Sequence, residues 1–218
     1  MDRNEVIKAV EENKIIVIMR GLNLSELRES VRAIRAGGIK CCEITYDSKG
    51  DPSDEETASY LEALVKEFPD MHIGSGTVLT EKQVELTARA GGEFIISPDT
   101  NVDVIKKTRE LGLVSMPGAL TPSEATLANR SGADFVKLFP NGEMKPSYLR
   151  AVAVPLSHIR FLAVGGVDEN NAAEYIKCGA VGIGVASGII DKKRIKAGDY
   201  EYLTVLAKKY TDALASAK

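Results

Sequence analysis

The sequence predicts a single α/β domain over residues 1–218, built as a parallel (β/α)₈ barrel of the TIM type with a short N-terminal helix. Short apolar runs alternate with amphipathic stretches of helical length along the whole chain, which is typical of parallel strands joined by helices. There are eight apolar runs, and eight strand–helix units close most economically as a barrel. A doubly wound open sheet has the same order of elements and remains the alternative.

The predicted elements follow one another in a regular unit of strand, loop, helix and glycine. The strands are expected at residues 15–19, 40–45, 72–75, 93–96, 114–116, 134–138, 160–163 and 181–185. Helix starts are indicated by capping residues, namely Ser25 before Glu26, Thr80 with Gln83, Thr121 with Glu124, and Asp168 before Glu169. Helix ends are indicated by Gly37-Gly38, Gly91-Gly92, Gly112, Gly132 and Gly179, because glycine favours the left-handed C-terminal cap.

Composition excludes several classes of partner and cofactor. The formal net charge of −3 leaves no basic surface for nucleic acid or anionic lipid. Residues 1–13 are charged rather than apolar, and no run is long enough to span a bilayer, so a cytoplasmic protein is expected. Three cysteines and two histidines lack the spacing of a disulfide framework or a metal site. We therefore expect no metal and no cofactor.

Lys137 is the sharpest chemical feature, because it is a single cation in the otherwise apolar run Phe135 to Phe139. One interpretation is a lysine that extends outward to solvent or pairs with a carboxylate. Phe135, Lys137 and Phe139 share one face of a strand, however, and an inward Lys137 is desolvated between two rings. Desolvation lowers the pKa of an amine toward neutrality, and such an amine attacks ketones. Glu43, also within a strand, is the natural proton-transfer partner, although a simple salt bridge to Lys137 is the alternative.

Glycines after the last two strands predict a phosphate site. Gly165 and Gly166 follow the seventh strand, and Ser187 and Gly188 follow the eighth, where barrels commonly bind phosphate through backbone N–H groups. These glycines also suit tight turns alone, and two clusters together favour phosphate. Arg20, at the end of the first strand, offers a bidentate donor for a carboxylate or phosphate, so a doubly anionic substrate is expected.

Several motifs together resemble those of the 2-keto-3-deoxy-6-phosphogluconate (KDPG) and 4-hydroxy-2-oxoglutarate (KHG) aldolases and their 6-phosphogalactonate relatives. The resemblance covers nearly the whole chain, and each motif is weak by itself. In chain order they are Ile16-Val17-Ile18-Met19-Arg20-Gly21, Glu43-Ile44-Thr45, Gly74-Ser75-Gly76-Thr77-Val78-Leu79, Ile96-Ser97-Pro98, Pro117-Gly118, Lys137-Leu138-Phe139-Pro140 and Gly165-Gly166-Val167.

The resemblance implies a role for each matching residue and an assembly. Lys137 forms a Schiff base with pyruvate, and Glu43 is the general acid and base, acting through water. The remaining substrate contacts that it implies are Pro98 and Phe139 along the pyruvyl pocket, Arg20 and Thr77 at a carboxylate, and Gly165, Gly166 and Ser187 at a phosphate. It also implies a homotrimer with a small-molecule substrate.

Two positions depart from the gluconate-type pattern. Asp47 lies where those members usually have arginine, so one anion contact is missing or relocated. Val164 lies where they tend to have threonine and resembles the galactonate type. The lost hydroxyl weakens recognition of the substrate's C4 hydroxyl and favours the C4 epimer or relaxes selectivity.

The predicted activity is therefore a class I aldolase. It cleaves a 2-keto-3-deoxy-6-phospho sugar acid to pyruvate and D-glyceraldehyde 3-phosphate, with 4-hydroxy-2-oxoglutarate, cleaved to pyruvate and glyoxylate, as a further candidate substrate. Two alternatives remain: a phosphate-binding barrel isomerase or synthase in which Lys137 acts only electrostatically, and a catalytically silent sugar-phosphate-binding barrel.

Overall fold

The structure of the protein is a computed structural model, and it describes residues 2–142 and 144–217. Nine strand segments lie in one parallel sheet: β1 Ile15–Met19, β2 Cys41–Thr45, β3 His72–Gly76, β4 Phe94–Ile96, β5 Val114–Met116, β6 Gly118–Ala119, β7 Val136–Leu138, β8 Phe161–Val164 and β9 Ala180–Val185. The helices are α1 Arg3–Asn13, α2 Leu24–Ala36, α3 Asp54–Glu67, α4 Glu81–Arg89, α5 Val102–Glu110, α6 Pro122–Arg130, α7 Pro146–Ala153, α8 Ala172–Lys177, α9 Lys192–Lys196 and α10 Tyr200–Ala215.

The sheet closes at Pro117, which divides one extended stretch into β5 and β6. The strand order is β5-β4-β3-β2-β1-β9-β8-β7-β6. Strand β5 pairs with β4 and strand β6 pairs with β7, so the two halves of this stretch join the ends of the sheet. Proline has no N–H to donate, but the Pro117 carbonyl accepts from the Lys137 N–H at 2.9 Å. Nine segments thus occupy eight strand positions, and the predicted (β/α)₈ barrel is confirmed.

The barrel interior is filled by apolar side chains, and α1 covers its amino-terminal end. Val6, Ile7 and Val10 of α1 belong to the same buried cluster as the inward side chains of the strands, among them Phe94 and Phe135. A second and larger cluster fills the layer between the strands and the outer helices. The amino-terminal end of the barrel is therefore part of the apolar core.

The predicted strands are found within two residues of their expected limits, and one segment was missed. Gly118–Ala119 was not predicted, because two residues give no periodicity. The helix ends predicted from glycines are confirmed, because the backbone has a positive φ at Gly38, Gly91, Gly112, Gly132 and Gly179. Thr80 and Thr121 cap α4 and α6 with full capping boxes, as expected.

Two predicted helix starts were wrong. Ser25 lies inside α2, which begins after Asn23, because the Asn23 side chain accepts from the Glu26 N–H at 3.0 Å and the Glu26 carboxylate accepts from the Asn23 N–H at 2.9 Å. Asp168 does not cap a helix directly. Its carboxylate accepts from the N–H groups of residues 170 and 171, which closes a turn, and α8 begins only at Ala172.

Asp134 is a buried carboxylate that ties α1 to the amino-terminal end of the barrel. It pairs with Arg3 of α1 and with Arg109 of α5, and it accepts from the Ser115 N–H at 2.9 Å. Its side chain is only 4% exposed. Because the carboxylate is buried and these contacts replace its hydration, Asp134 is expected to contribute strongly to stability.

We predict that Asp134→Asn lowers the free energy of unfolding by about 2–4 kcal/mol, because it removes the charge from a buried, multiply paired carboxylate. Urea denaturation followed by circular dichroism measures this change. The control is Asp212→Asn, which removes an exposed partner of Lys208 and should change stability by less than about 1 kcal/mol. Equal effects of the two substitutions would contradict the structural role of Asp134.

Candidate active site

A cavity of about 550 Å³ opens at the carboxyl ends of the strands. All ten residues that the sequence singled out line it: Arg20, Glu43, Thr77, Pro98, Lys137, Phe139, Val164, Gly165, Gly166 and Ser187. Each strand position except the β5–β6 stretch contributes at least one of these residues, either from the strand or from the loop after it. The cavity also includes Ile18, Val167, Asp168, Gly184, Ala186 and Gly188.

Lys137 points into the barrel from the middle of β7. The residue is 6% exposed, and its Nζ lies 4.5 Å from the centre of the Phe139 ring. Burial lowers the pKa of the Lys137 amine; the charge of Glu43 opposes this shift and that of Arg20 adds to it. Of the two interpretations of Lys137, the one in which its side chain extends outward to solvent is thereby excluded.

Glu43 lies on β2, and its carboxyl group is buried, with no hydrogen-bond partner at Oε2 in the part of the chain that the structure describes. Burial raises its pKa to about 7, although the charges of Lys137 and Arg20 act in the opposite direction. Space for the group comes from Gly76, since a Cβ built at that position would overlap the carboxylate. Burial thus moves the Glu43 pKa toward neutral pH, which suits a group that both gives and takes protons.

Lys137 and Glu43 face each other across the barrel instead of forming a direct ion pair. Three strand positions separate β2 from β7 in either direction around the sheet, counting β5 and β6 as one. No salt bridge within 4.0 Å joins the two side chains, both of which belong to the described part of the chain. The space between them is part of the cavity, so a small molecule can contact both groups at once.

Arg20 and Thr77 form a polar edge of the cavity. The Arg20 guanidinium donates from Nη2 to the Thr77 hydroxyl at 2.9 Å. Thr77 has a φ of 57°, a left-handed conformation that is uncommon for a β-branched residue and indicates a locally constrained turn after β3. Pro98 and Phe139 supply partly buried apolar surface to the same cavity.

Gly165 and Gly166 make the turn after β8, where both have positive φ, 94° and 68°. Gly142, from the loop after β7, packs against this turn, and a Cβ at Gly166 would lie 2.5 Å from the Gly142 Cα. The Asn171 side-chain amide donates to the Gly166 carbonyl at 2.9 Å and fixes the turn from the other side. The Gly165–Gly166 turn lines the cavity from the end of β8, and Ser187 lines it from the loop after β9.

Val164 is buried at the end of β8 against the neighbouring strand. A Cβ at Gly184 would approach the Val164 side chain to 2.8 Å, so the valine occupies the space that this glycine leaves. Asp47, by contrast, does not line the large cavity. Its carboxylate accepts from the Lys49 N–H at 2.7 Å within the loop after β2, which gives it a local turn-forming role.

Two polar residues near the cavity escaped the sequence reasoning. Asp168 lines the cavity but was interpreted only as a helix cap. Asn141 is fully buried beside the Gly165 turn, its N–H donates to the Val164 carbonyl at 3.1 Å, and its side-chain amide has no partner among the described residues. The position of Asn141, shortly after the carboxyl end of β7, could have marked it as a residue near the cavity.

Metal-binding and membrane-spanning features were searched for in residues 2–142 and 144–217. This part of the chain has no group of three or more His, Cys, Asp or Glu side chains placed to hold a metal ion. It also has no helix of the length and apolarity needed to cross a membrane.

The fold and the cavity together define a barrel in which a desolvated lysine and a desolvated carboxylic acid share a site at the carboxyl ends of the strands. Enzymes that form Schiff bases with carbonyl substrates use such a lysine. The protein-family model for the KDPG and KHG aldolases matches residues 6–206. The chain belongs to this aldolase family.

Individual relatives agree with this assignment over nearly their full length. The chain is 38% identical to a probable 2-dehydro-3-deoxy-6-phosphogalactonate aldolase of Rhizobium meliloti over 86% of each sequence. A solved native KDPGal structure superposes with a TM-score of 0.84 at 31% identity, over 93% of this chain and 95% of that one. KDPG aldolase from Legionella pneumophila, solved with pyruvate captured as a covalent carbinolamine, superposes with a TM-score of 0.82 at 25% identity, over 95% and 97%.

The buried Glu43 carboxyl group predicts a stability change with pH. Its pKa in the folded protein, about 7, lies above the ordinary value of 4.5, so the folded state binds this proton more tightly than the unfolded state does. Stability from this group is present below pH 4.5 and is lost as the pH rises toward 7. In Glu43→Gln that loss is absent, so the variant should exceed the wild type by about 3 kcal/mol above pH 7 and by little at pH 4.

Urea denaturation of both proteins at several pH values measures this difference. Glu62→Gln, which changes an exposed carboxylate on α3, is the control and should follow the wild type at every pH. A Glu43→Gln protein no more stable than the wild type at pH 8 would contradict the desolvation of Glu43.

Proposed function

We propose that this aldolase, one domain over residues 1–218, cleaves a 2-keto-3-deoxy-6-phospho sugar acid to pyruvate and D-glyceraldehyde 3-phosphate, with Lys137 as nucleophile. The main support is that the pKa shifts of Lys137 and Glu43 are opposite and that both groups line one cavity. A lowered amine pKa leaves a larger fraction of Lys137 uncharged, and only the uncharged amine attacks a ketone.

In the proposed reaction the Lys137 amine adds to the C2 ketone to give a carbinolamine. Loss of water then gives a protonated imine, which accepts the electron pair of the C3–C4 bond as that bond breaks. Glu43 takes the proton of the C4 hydroxyl through water, so that the aldehyde leaves. The same acid then supplies a proton to C3 of the enamine, and hydrolysis of the resulting imine releases pyruvate and regenerates the Lys137 amine.

The proposed substrate contacts use the two polar edges of the cavity. Arg20 and Thr77, already joined by a hydrogen bond, bind the carboxylate, while Pro98 and Phe139 pack along the pyruvyl carbons. Backbone N–H groups of the positive-φ turn at Gly165 and Gly166, together with the Ser187 hydroxyl, bind the phosphate.

Several finer assignments belong to the same proposal. A carbinolamine is described for the Legionella pneumophila relative, and the Rhizobium meliloti relative is named for the galactonate substrate, so both the mechanism and the galactonate epimer are proposed here by similarity. We further propose a cytoplasmic homotrimer that acts in sugar-acid breakdown of the Entner–Doudoroff type. Cleavage of 4-hydroxy-2-oxoglutarate to pyruvate and glyoxylate is proposed as a further activity.

Borohydride trapping tests the nucleophile directly. We predict that incubation with pyruvate and sodium borohydride adds one reduced pyruvyl group at Lys137, because hydride reduces the imine to a stable amine. Peptide mass spectrometry locates the adduct, and Lys137→Ala should lose both the adduct and pyruvate release from the phosphorylated substrate.

Lys208→Ala, which changes an exposed lysine of α10, is the matched control and should be trapped like the wild type. Turnover of a sugar phosphate with no trapped adduct and no pyruvate release would favour the isomerase or synthase alternative. The absence of adduct, pyruvate release and any other turnover would favour the silent sugar-phosphate-binding barrel.

Val164 provides a test of epimer preference. Because valine offers no hydroxyl at the end of β8, we expect the wild type to cleave the galactonate epimer with a kcat/KM at least equal to that for the gluconate epimer. In Val164→Thr the added hydroxyl should raise the gluconate-to-galactonate ratio by about tenfold, the effect of one new hydrogen bond. An unchanged ratio of kcat/KM values would show that Val164 does not discriminate the epimers.

A further inference from the structure

A second cavity, of about 420 Å³, lies at the opposite end of the barrel from the active site. It is formed where α7, β8, α8 and β9 meet, and its lining includes the residues just before β8 and at the start of β9. On β9 the second cavity reaches Val181 and the active-site cavity reaches Gly184, which are roughly 10 Å apart along the strand. The two cavities share no lining residue. The second cavity is therefore separate from the site that contains Lys137.

The lining of this second cavity is strongly cationic. It includes Arg150, Arg160 and Lys177 and no acidic residue, although the chain as a whole has a net charge of −3. Arg160 is partly neutralised, because it pairs with Glu11 at 2.8 Å. The other two cations have no carboxylate partner among the described residues. All three cations belong to exposed residues, and two of them bring a positive charge that no described carboxylate pairs with.

Arg150 is oriented toward the cavity by a weak contact only. Its Nη2 donates to the Cys178 sulfur at 3.6 Å, and sulfur is a poor acceptor. A guanidinium has five N–H donors in a planar fork that matches the oxygens of a phosphate group. Most of this donor capacity remains available at the cavity wall.

The remaining lining is apolar and suits a short carbon skeleton. Ala153, Ile159 and Val181 contribute to it, and Val154 is 71% exposed at its edge. The volume falls within the range typical of small-molecule sites. The cavity thus combines an anion-binding wall with an apolar wall, an arrangement suited to an organic anion.

We propose that this second cavity is a binding site for a small phosphate monoester, separate from the active site. Arg150 binds the phosphate oxygens through its planar fork, Lys177 adds a point charge, and the carbon skeleton lies on the apolar wall. Occupancy of this cavity requires no chemistry at Lys137, so the proposal is independent of the proposed aldolase function.

Backbone amide NMR with glycerol 3-phosphate as the probe tests the proposal site by site. We expect saturable shifts of the Gly179 and Val181 amides, with a dissociation constant below about 10 mM. Inorganic phosphate lacks the carbon skeleton and should bind more weakly at the same amides. Gly165 and Gly166 report separately on the active site, so the two sites are distinguished in one titration.

Arg150→Gln/Lys177→Gln should weaken binding at Gly179 and Val181 by about tenfold or more, since two charge-assisted contacts are lost. The shifts at Gly165 and Gly166 should stay the same. A matched variant, Arg130→Gln/Lys209→Gln, removes two exposed cations elsewhere and should bind like the wild type.

Three outcomes would overturn the proposal. One is the absence of saturable shifts at Gly179 and Val181 in the wild type. A second is an affinity that survives unchanged in the double variant at residues 150 and 177. The third is an equal loss in the matched control, which would reduce the effect to net charge.

Discussion

The desolvation of two ionisable side chains inside one apolar barrel is the constraint on which the site depends. Lys137 and Glu43 are each more than nine-tenths buried, and burial is the largest influence on both pKa values. A close ion pair would stabilise both charged forms and oppose these shifts. Because the two groups stand on opposite strands, each keeps much of its shift, and the space between them belongs to the cavity.

The backbone meets this constraint by omitting side chains where the cavity needs room. Gly76 leaves space for the Glu43 carboxylate, and Gly184 leaves space for Val164. The Gly165–Gly166 turn can approach Gly142 closely only because no Cβ intervenes. These glycines lie at the carboxyl ends of the strands, whereas the opposite end has a paired carboxylate, Asp134, and the covering helix α1. One end of the barrel thus provides space and the other provides stability.

Much of this arrangement could be predicted from the sequence because it rests on short-range rules. The period of two in a strand places Lys137 and Phe139 on one face. The pattern of a lysine between two phenylalanines therefore indicates that Lys137 is buried. The capping boxes at Thr80 and Thr121 were equally local and were predicted correctly. Asn23 was missed because Ser25 precedes the same Glu26, and the choice between them depends on where the preceding loop enters the helix. The β6 segment and the burial of Asn141 depend on contacts between distant parts of the chain, which no local pattern encodes.

At Glu43, the burial that raises the carboxyl pKa also lowers the stability of the folded protein. A buried carboxyl group that titrates near neutral pH is destabilising once it ionises, and no described residue donates a hydrogen bond to its Oε2 that would offset the lost hydration. A hydrogen bond to Oε2 would stabilise the fold, but it would also lower the pKa toward the ordinary value and weaken the group as a proton donor. Under the proposed mechanism, the absence of a donor to Oε2 among the described residues helps to keep the Glu43 pKa in the range that proton transfer at neutral pH requires.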